Sequence, residues 1–104
     1  MRGPLALAAL LAAGLALGAD PQAGEALAQR HCAACHAVGR AGDSPVAAAP
    51  PFRELGRLYP VENLQEALAE GITMSHEGIQ MPELSFAPEE IDALIAHLQR
   101  IQVR

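Results

Sequence analysis

The clearest pattern of apolar and polar positions lies at the end of the chain. Apolar residues recur there at intervals of three and four with polar residues between them, at Ile91, Leu94, Ile95, Leu98 and Ile101. This spacing places the apolar side chains on one face of an α-helix. Pro88 suits the first helical turn, and Glu89 and Glu90 suit the positive end of the helix dipole. The pattern therefore predicts an amphipathic helix that begins at Pro88.

Two earlier segments also predict helices. Asp20 and Pro21 fit the N-cap and first position of a helix that delivers a pair of cysteines at its end. A further helix is predicted from 61 to 70, because Val61, Leu64 and Leu68 share one face and Gly71 follows where a left-handed residue ends a helix.

The segments between the helices predict loops rather than strands. Residues 39–51 are rich in Gly and Pro, which predicts one continuous loop. No segment shows the alternation of apolar and polar residues that a half-buried strand requires. The sequence therefore predicts an all-α domain with three main helices.

The first nineteen residues have a different character from the rest. Arg2 precedes an unbroken apolar run over 4–17, and small residues follow before Asp20. This order is typical of a secretory signal peptide, with cleavage after Gly18 or Ala19. We expect a signal peptide over 1–19, a single domain over 20–104, and a periplasmic location. An uncleaved membrane anchor is the alternative, but the run is shorter than the roughly 20 residues of a spanning helix.

The expected domain is small and poor in large side chains. Removal of residues 1–19 from the 104 leaves 85, and the only aromatics among them are Phe52, Tyr59 and Phe86. A domain of this size is marginally stable unless something adds to its core. The composition therefore predicts that a group other than protein fills the middle.

The charge balance disfavours nucleic acid and anionic membranes as partners. Loss of Arg2 with the leader takes the basic residues from seven to six, against twelve acidic residues, so the net charge becomes −6. Every basic residue is Arg, and the chain contains no Lys.

One short motif indicates the chemistry. The residues Cys32-Ala33-Ala34-Cys35-His36 form a Cys-x-x-Cys-His sequence, which is the attachment signature of c-type haem. Two thiols one helical turn apart can add to the two vinyl groups on one porphyrin edge, and the adjacent imidazole can then reach the iron. We predict one covalent haem c, with Cys32 and Cys35 as thioether anchors and His36 as an axial iron ligand.

The sequence gives less support to three other roles for the two cysteines. A disulfide between Cys32 and Cys35 would close a strained ring and leave His36 without a role. A zinc site needs four ligands, and no other His has finger-like spacing from the cysteine pair. A thioredoxin-like site follows a β-strand, whereas the flanking sequence here predicts a helix.

The second axial ligand must come from elsewhere in the chain. The candidates are Met74, Met81, His76 and His97. Met81 is preferred, because it lies in a segment without helical periodicity and Pro82 would stiffen the backbone that presents the sulfur. A Met ligand raises the reduction potential and suits electron transfer, whereas an open site suits gas binding or peroxidase chemistry.

The chain resembles bacterial class I (monohaem) cytochromes c. The likeness rests on the Cys-x-x-Cys-His motif, on Ala49-Pro50-Pro51-Phe52, and on Met81-Pro82-Glu83-Leu84 leading into Pro88-Glu89-Glu90-Ile91. The resemblance implies a cytochrome c fold, with three main helices wrapped around one covalently attached haem. It also supports Met81 over Met74.

The resemblance further implies residues around the haem. A proline carbonyl accepts the hydrogen bond of the proximal imidazole in this family, and Pro45 is the matching position. Arg40, Arg53 and Tyr59 are candidates for contact with the haem propionates. One departure is the absence of the Lys ring through which mitochondrial relatives dock. Another is His97, which occupies an aromatic position of the last helix opposite Gly24.

These observations predict a single-electron carrier that is not an enzyme. Its expected partners are donor and acceptor redox proteins, and it is expected to be a monomer or a subunit of a complex, with membrane contact only through those complexes or an uncleaved leader. One alternative is the haem subunit of a larger dehydrogenase or oxidase. Another is a haem sensor or peroxidase with a labile sixth ligand.

Overall fold

The computed structural model of the protein describes residues 19–71, 75–76 and 79–103. Helix α1 is Pro21–His31, two 3₁₀ helices are Phe52–Arg57 and Val61–Asn63, α2 is Leu64–Glu70, strands β1 and β2 are Ser75–His76 and Ile79–Gln80, and α3 is Pro88–Ile101. The predicted leader lies outside the described residues except for Ala19.

Helix α1 begins and ends where the sequence predicts. The Asp20 carboxylate accepts a hydrogen bond from the Gln22 backbone N–H at 2.9 Å, and Pro21 occupies the first turn. This bond satisfies one of the amides that every helix leaves without an internal partner at its start. At the other end the Cys32 N–H donates to the Ala28 carbonyl at 2.8 Å. The first cysteine of the motif is therefore held at the helix terminus.

The middle helix is confirmed, with a different first turn. Residues 61–63 form a 3₁₀ turn in which the Asn63 N–H donates to the Pro60 carbonyl at 3.0 Å, and the α-helix proper starts at Leu64. Gly71 ends it with φ of 88°, a conformation that favours glycine. Val61 and Leu68 are buried, as the predicted face requires.

Helix α3 is confirmed from its predicted start. The Glu90 side chain accepts a hydrogen bond from the Ala87 N–H at 2.8 Å, which fixes the first turn. The predicted apolar face is buried throughout, at Ile91, Leu94, Ile95, Leu98 and Ile101. Among the described elements, α3 contributes the most buried apolar side chains to the core.

A short antiparallel pair was not predicted. Ser75 pairs with Gln80 and His76 with Ile79. Strands of two residues are too short to produce an alternating pattern, so periodicity could not reveal them. The pair ends directly before Met81, and it therefore determines where the segment that carries Met81 begins.

The first and last helices cross in close contact at Gly24. A Cβ atom at this position would lie 1.9 Å from the Ala93 carbonyl oxygen and 2.9 Å from the His97 Cβ. Only a residue without a side chain permits this approach of the two backbones. The crossing brings the apolar face of α3 against Leu27 and Ala28, which belong to the same core.

In the part of the chain that the structure describes, no helix has both the length and the apolar composition needed to cross a bilayer.

The helix crossing predicts a large penalty for Gly24→Ala. The atoms closest to the new methyl group are backbone atoms of α3, so relief requires the two helices to move apart. We expect the free energy of unfolding to fall by about 1–3 kcal/mol, as measured by urea denaturation of the haem-loaded protein. Gly39→Ala is the matched control, because a Cβ there meets nothing within 4 Å. Equal stability of the two variants would contradict the crossing.

Candidate functional site

A cavity of about 380 Å³ lies between the helices and the loop segments. Its walls are formed by residues of the cysteine motif, the 39–51 loop, the first 3₁₀ helix, α2, the segment 81–86 and α3. Among the described residues that line it there is no Asp, Glu, Lys or Arg. A cavity of this size and apolar character suits a large, mostly apolar ligand.

The cavity brings together the four residues that the sequence predicts as the haem attachment and ligand set. Cys32, Cys35, His36 and Met81 all line it. These residues lie at the end of α1, in the turn that follows, and directly after β2. Met81 therefore lines the same cavity as the motif, although it comes 45 positions after His36 in the sequence.

The motif itself forms a tight turn after α1. The Cys35 and His36 N–H groups both donate to the Cys32 carbonyl, at 3.2 and 3.0 Å. The two cysteines form no disulfide with each other. The turn thus carries both sulfurs and the imidazole on one short rigid segment.

The environment of Cys32 argues against thiol redox catalysis. Burial, with a smaller contribution from the neighbouring Cys35, raises the pKa of the Cys32 thiol to about 11. A reactive cysteine in a Cys-x-x-Cys motif needs a lowered pKa, because the thiolate is the nucleophile. The fold therefore does not activate Cys32 as a thioredoxin-like site would.

The ring of His36 is oriented by a proline carbonyl, but not by the predicted one. His36 Nδ1 lies 2.8 Å from the Pro50 carbonyl oxygen. Since a carbonyl only accepts, Nδ1 carries the proton, and Nε2 keeps the lone pair that an iron ion requires. The assignment to Pro45 was wrong. The loop folds back at Val46, whose N–H donates to the Cys35 carbonyl, and this leaves Pro45 exposed.

Phe52 supports the same imidazole from a second direction. Its ring centroid lies 4.8 Å from that of His36, and its N–H donates to the Ala37 carbonyl at 2.9 Å. Sequence reasoning used Phe52 only as part of the Ala49-Pro50-Pro51-Phe52 resemblance and did not predict this role. The two prolines directly before an aromatic residue were the available signal.

The three candidates for propionate contact lie in different places. Tyr59 lines the cavity, and burial raises the pKa of its phenol. Arg53 is not part of the lining, because its guanidinium donates to the Gly42 carbonyl at 2.7 Å and lies 3.9 Å from Glu54. Arg40 is exposed and also lies outside the lining. The structure thus brings Tyr59 to the cavity but neither arginine.

Of the other candidates for the sixth ligand, the structure describes only the His97 side chain. Met74 and the side chain of His76 lie outside the described residues. His97 is buried, and its Nε2 lies 2.7 Å from the Val38 carbonyl oxygen, away from the cavity lining. His31, which was not predicted, does line the cavity and makes an edge-on ring contact with Phe86 at 5.4 Å.

Comparison with known proteins adds to this geometry. Residues 19–98 match the family described as cytochrome c oxidase, cbb3-type, subunit III. The chain is also 38% identical, over 98 residues, to the dihydro-heme d1 dehydrogenase of Pseudomonas aeruginosa. That alignment covers 90% of this chain but only 19% of the relative, so the chain spans about a fifth of the relative's length. No solved structure matches the chain.

The chain therefore belongs to this family of bacterial monohaem cytochrome c domains. The all-α cytochrome c fold is confirmed, and the cofactor of the family is covalently bound haem c. The residues present fit that cofactor, since two thiols and an imidazole with a free Nε2 line one apolar cavity.

The buried phenol predicts a loss of stability at alkaline pH. Burial raises the pKa of Tyr59 above its ordinary value of 10.0, so the unfolded chain ionises first as the pH rises. The stabilising contribution is complete below pH 10.0 and is lost as the pH rises through the folded pKa. We expect Tyr59→Phe to lose less stability than the wild type between neutral pH and about pH 11, measured by urea denaturation.

The measurement uses the haem-loaded protein, in which both cysteines would be thioethers that do not titrate, and the chain has no Lys and no second Tyr to titrate in the same range. Identical losses in the two proteins would show that Tyr59 ionises as freely in the fold as in the unfolded chain.

Proposed function

We propose that this protein is a single-electron carrier of the bacterial periplasm. Membership of the cytochrome c family implies haem-based electron transfer. In this role Cys32 and Cys35 are the thioether anchors, and His36 and Met81 are the axial ligands. The protein performs no bond chemistry on a substrate, so it is not an enzyme.

The observation that carries the proposal is the state of His36. Its Nδ1–H donates to the Pro50 carbonyl, so Nε2 is unprotonated and has a lone pair available for a metal ion. His36 and Met81 both line the apolar cavity. When bound, haem supplies a one-electron couple at its iron. A nitrogen and a thioether that both remain bound would keep structural change small as the electron moves.

The residues of the chain supply orientation and exclusion of water. The Pro50 carbonyl and the Phe52 ring fix the imidazole, and the aliphatic side chains of Leu55, Leu68 and Leu94 keep the cavity apolar. Met81 opposes the alternative of a sensor or peroxidase, which requires an open or labile sixth position.

The charge of the chain indicates the kind of partner. With the leader removed, the chain has six arginines and twelve acidic residues. Redox partners of complementary charge would meet this surface in small, transient interfaces, whereas nucleic acid would be repelled. The periplasmic location rests on the signal-like sequence over 1–19 and on the usual export of bacterial cytochrome c domains.

A second candidate function is favoured by one comparison. The relative from Pseudomonas aeruginosa is named a dehydrogenase, and the chain corresponds to about a fifth of it. The protein could therefore serve as the electron-transfer subunit of a larger dehydrogenase or oxidase complex. Size-exclusion chromatography of native periplasmic extract, with detection by haem absorbance, distinguishes a free carrier from a subunit of a complex. A free carrier elutes at the size of the small domain, whereas co-elution with a larger protein would support the subunit.

The proposed ligand set predicts the effects of two methionine variants. Met81→Ala should open the sixth position, lower the reduction potential and allow rapid carbon monoxide binding by the reduced protein, because the thioether that favours ferrous iron is lost. The sulfur-to-iron charge-transfer band of the oxidised protein should disappear. Met74→Ala is the matched control and should retain the band, the potential and the slow carbon monoxide binding.

The reverse result, in which only Met74→Ala loses the band, would show that the other methionine is the ligand. Rapid carbon monoxide binding by the wild type would instead support the sensor or peroxidase alternative.

A further inference from the structure

His97 is the most deeply buried large side chain among the described residues. It is 1% exposed, and its Nε2 lies 2.7 Å from the Val38 carbonyl oxygen. Because a carbonyl can only accept, Nε2 carries the proton. Nδ1 is buried and has no hydrogen-bond partner in the described structure. His97 therefore donates a hydrogen bond to Val38 through Nε2.

The acceptor of this bond lies two residues after the proximal His36. Both residues that follow His36 have their carbonyls hydrogen-bonded. The Phe52 N–H donates to the Ala37 carbonyl, and His97 donates to the Val38 carbonyl. Val38 is itself buried, so its carbonyl would lose its protein partner if residue 97 were apolar. A buried carbonyl without a partner is costly, so the donor at residue 97 stabilises this arrangement.

Gln102, directly after α3, makes a second set of bonds to the same region. Its Nε2 donates to the Phe52 carbonyl at 2.7 Å and to the Leu98 carbonyl at 2.8 Å, and its Oε1 accepts from the Gly56 N–H at 2.6 Å. Phe52 is the residue whose ring packs on His36. His97 on α3 and Gln102 directly after it therefore bind the segment that carries His36 and the residue whose ring packs on it.

We infer that His97 is a positioning residue for the proximal ligand, and that it acts with Gln102 to fix the orientation of the His36 ring. By holding Val38 and Phe52 in place, the two side chains keep the His36 Nδ1–H directed at the Pro50 carbonyl. This bond increases the electron-donating power of the imidazole and so favours ferric iron. The inference rests on the proposed role of His36 as an iron ligand.

The test compares His97→Phe with His97→Gln in the haem-loaded protein. Phe keeps a ring of similar size and removes the donor, whereas Gln can place its Nε2 donor near the position of the histidine Nε2. We expect His97→Phe to raise the reduction potential and to alter the paramagnetic resonance spectrum of the ferric form, because the Nδ1 bond of His36 becomes weaker. Exchange of the Phe52 amide with solvent should accelerate by about tenfold. His97→Gln should return all three properties, the potential, the ferric spectrum and the amide exchange rate, towards their wild-type values.

A purely packing role gives a different result. If both variants lose stability alike while the potential and the Phe52 amide exchange stay at wild-type values, the inference is overturned. If His97→Phe does not fold, Gln102→Met removes the companion bonds without disturbing the buried ring, and it should shift the potential in the same direction. An unchanged potential there also overturns the inference. The amide measurement does not depend on the sixth ligand, so it remains informative if the wild-type spectrum contradicts Met81.

Discussion

The 2.8 Å hydrogen bond from His36 Nδ1 to the Pro50 carbonyl is the interaction on which the rest of the site depends. It decides which nitrogen carries the proton, and therefore which nitrogen is free to bind iron. It also joins the cysteine motif to the far end of the 39–51 loop. Pro50 is followed within two residues by Phe52, whose ring and backbone hold the same imidazole and its neighbour Ala37.

The helices serve this arrangement by providing a rigid frame with an apolar interior. The close crossing at Gly24 brings α1 and α3 together, and the apolar face of α3 then forms one wall of the cavity through Leu94 and Leu98. The chain has only three aromatic residues, and aliphatic side chains dominate its core. Covalent haem would fill the remaining volume, so the cofactor is expected to complete the core as well as to carry the electron.

The local features of the fold and site could be predicted from the sequence. The capping by Asp20, the glycine after Glu70 and the apolar face of α3 depend on residues close together in the chain, and each is confirmed. The haem motif is equally local. Long-range features could not be predicted in the same way. The choice of Pro50 rather than Pro45 depends on where the loop folds back, and the withdrawal of Arg53 from the cavity depends on its bond to Gly42.

The central claim is that haem is tethered to this chain by the sulfurs of Cys32 and Cys35. The most direct measurement is acid–acetone extraction of the exported protein, followed by mass spectrometry of its proteolytic peptides. Haem should stay with the polypeptide after extraction, and its mass should be found on the peptide that contains both cysteines. A compactly folded protein that is colourless, or that releases all of its haem into the acetone, would contradict the account.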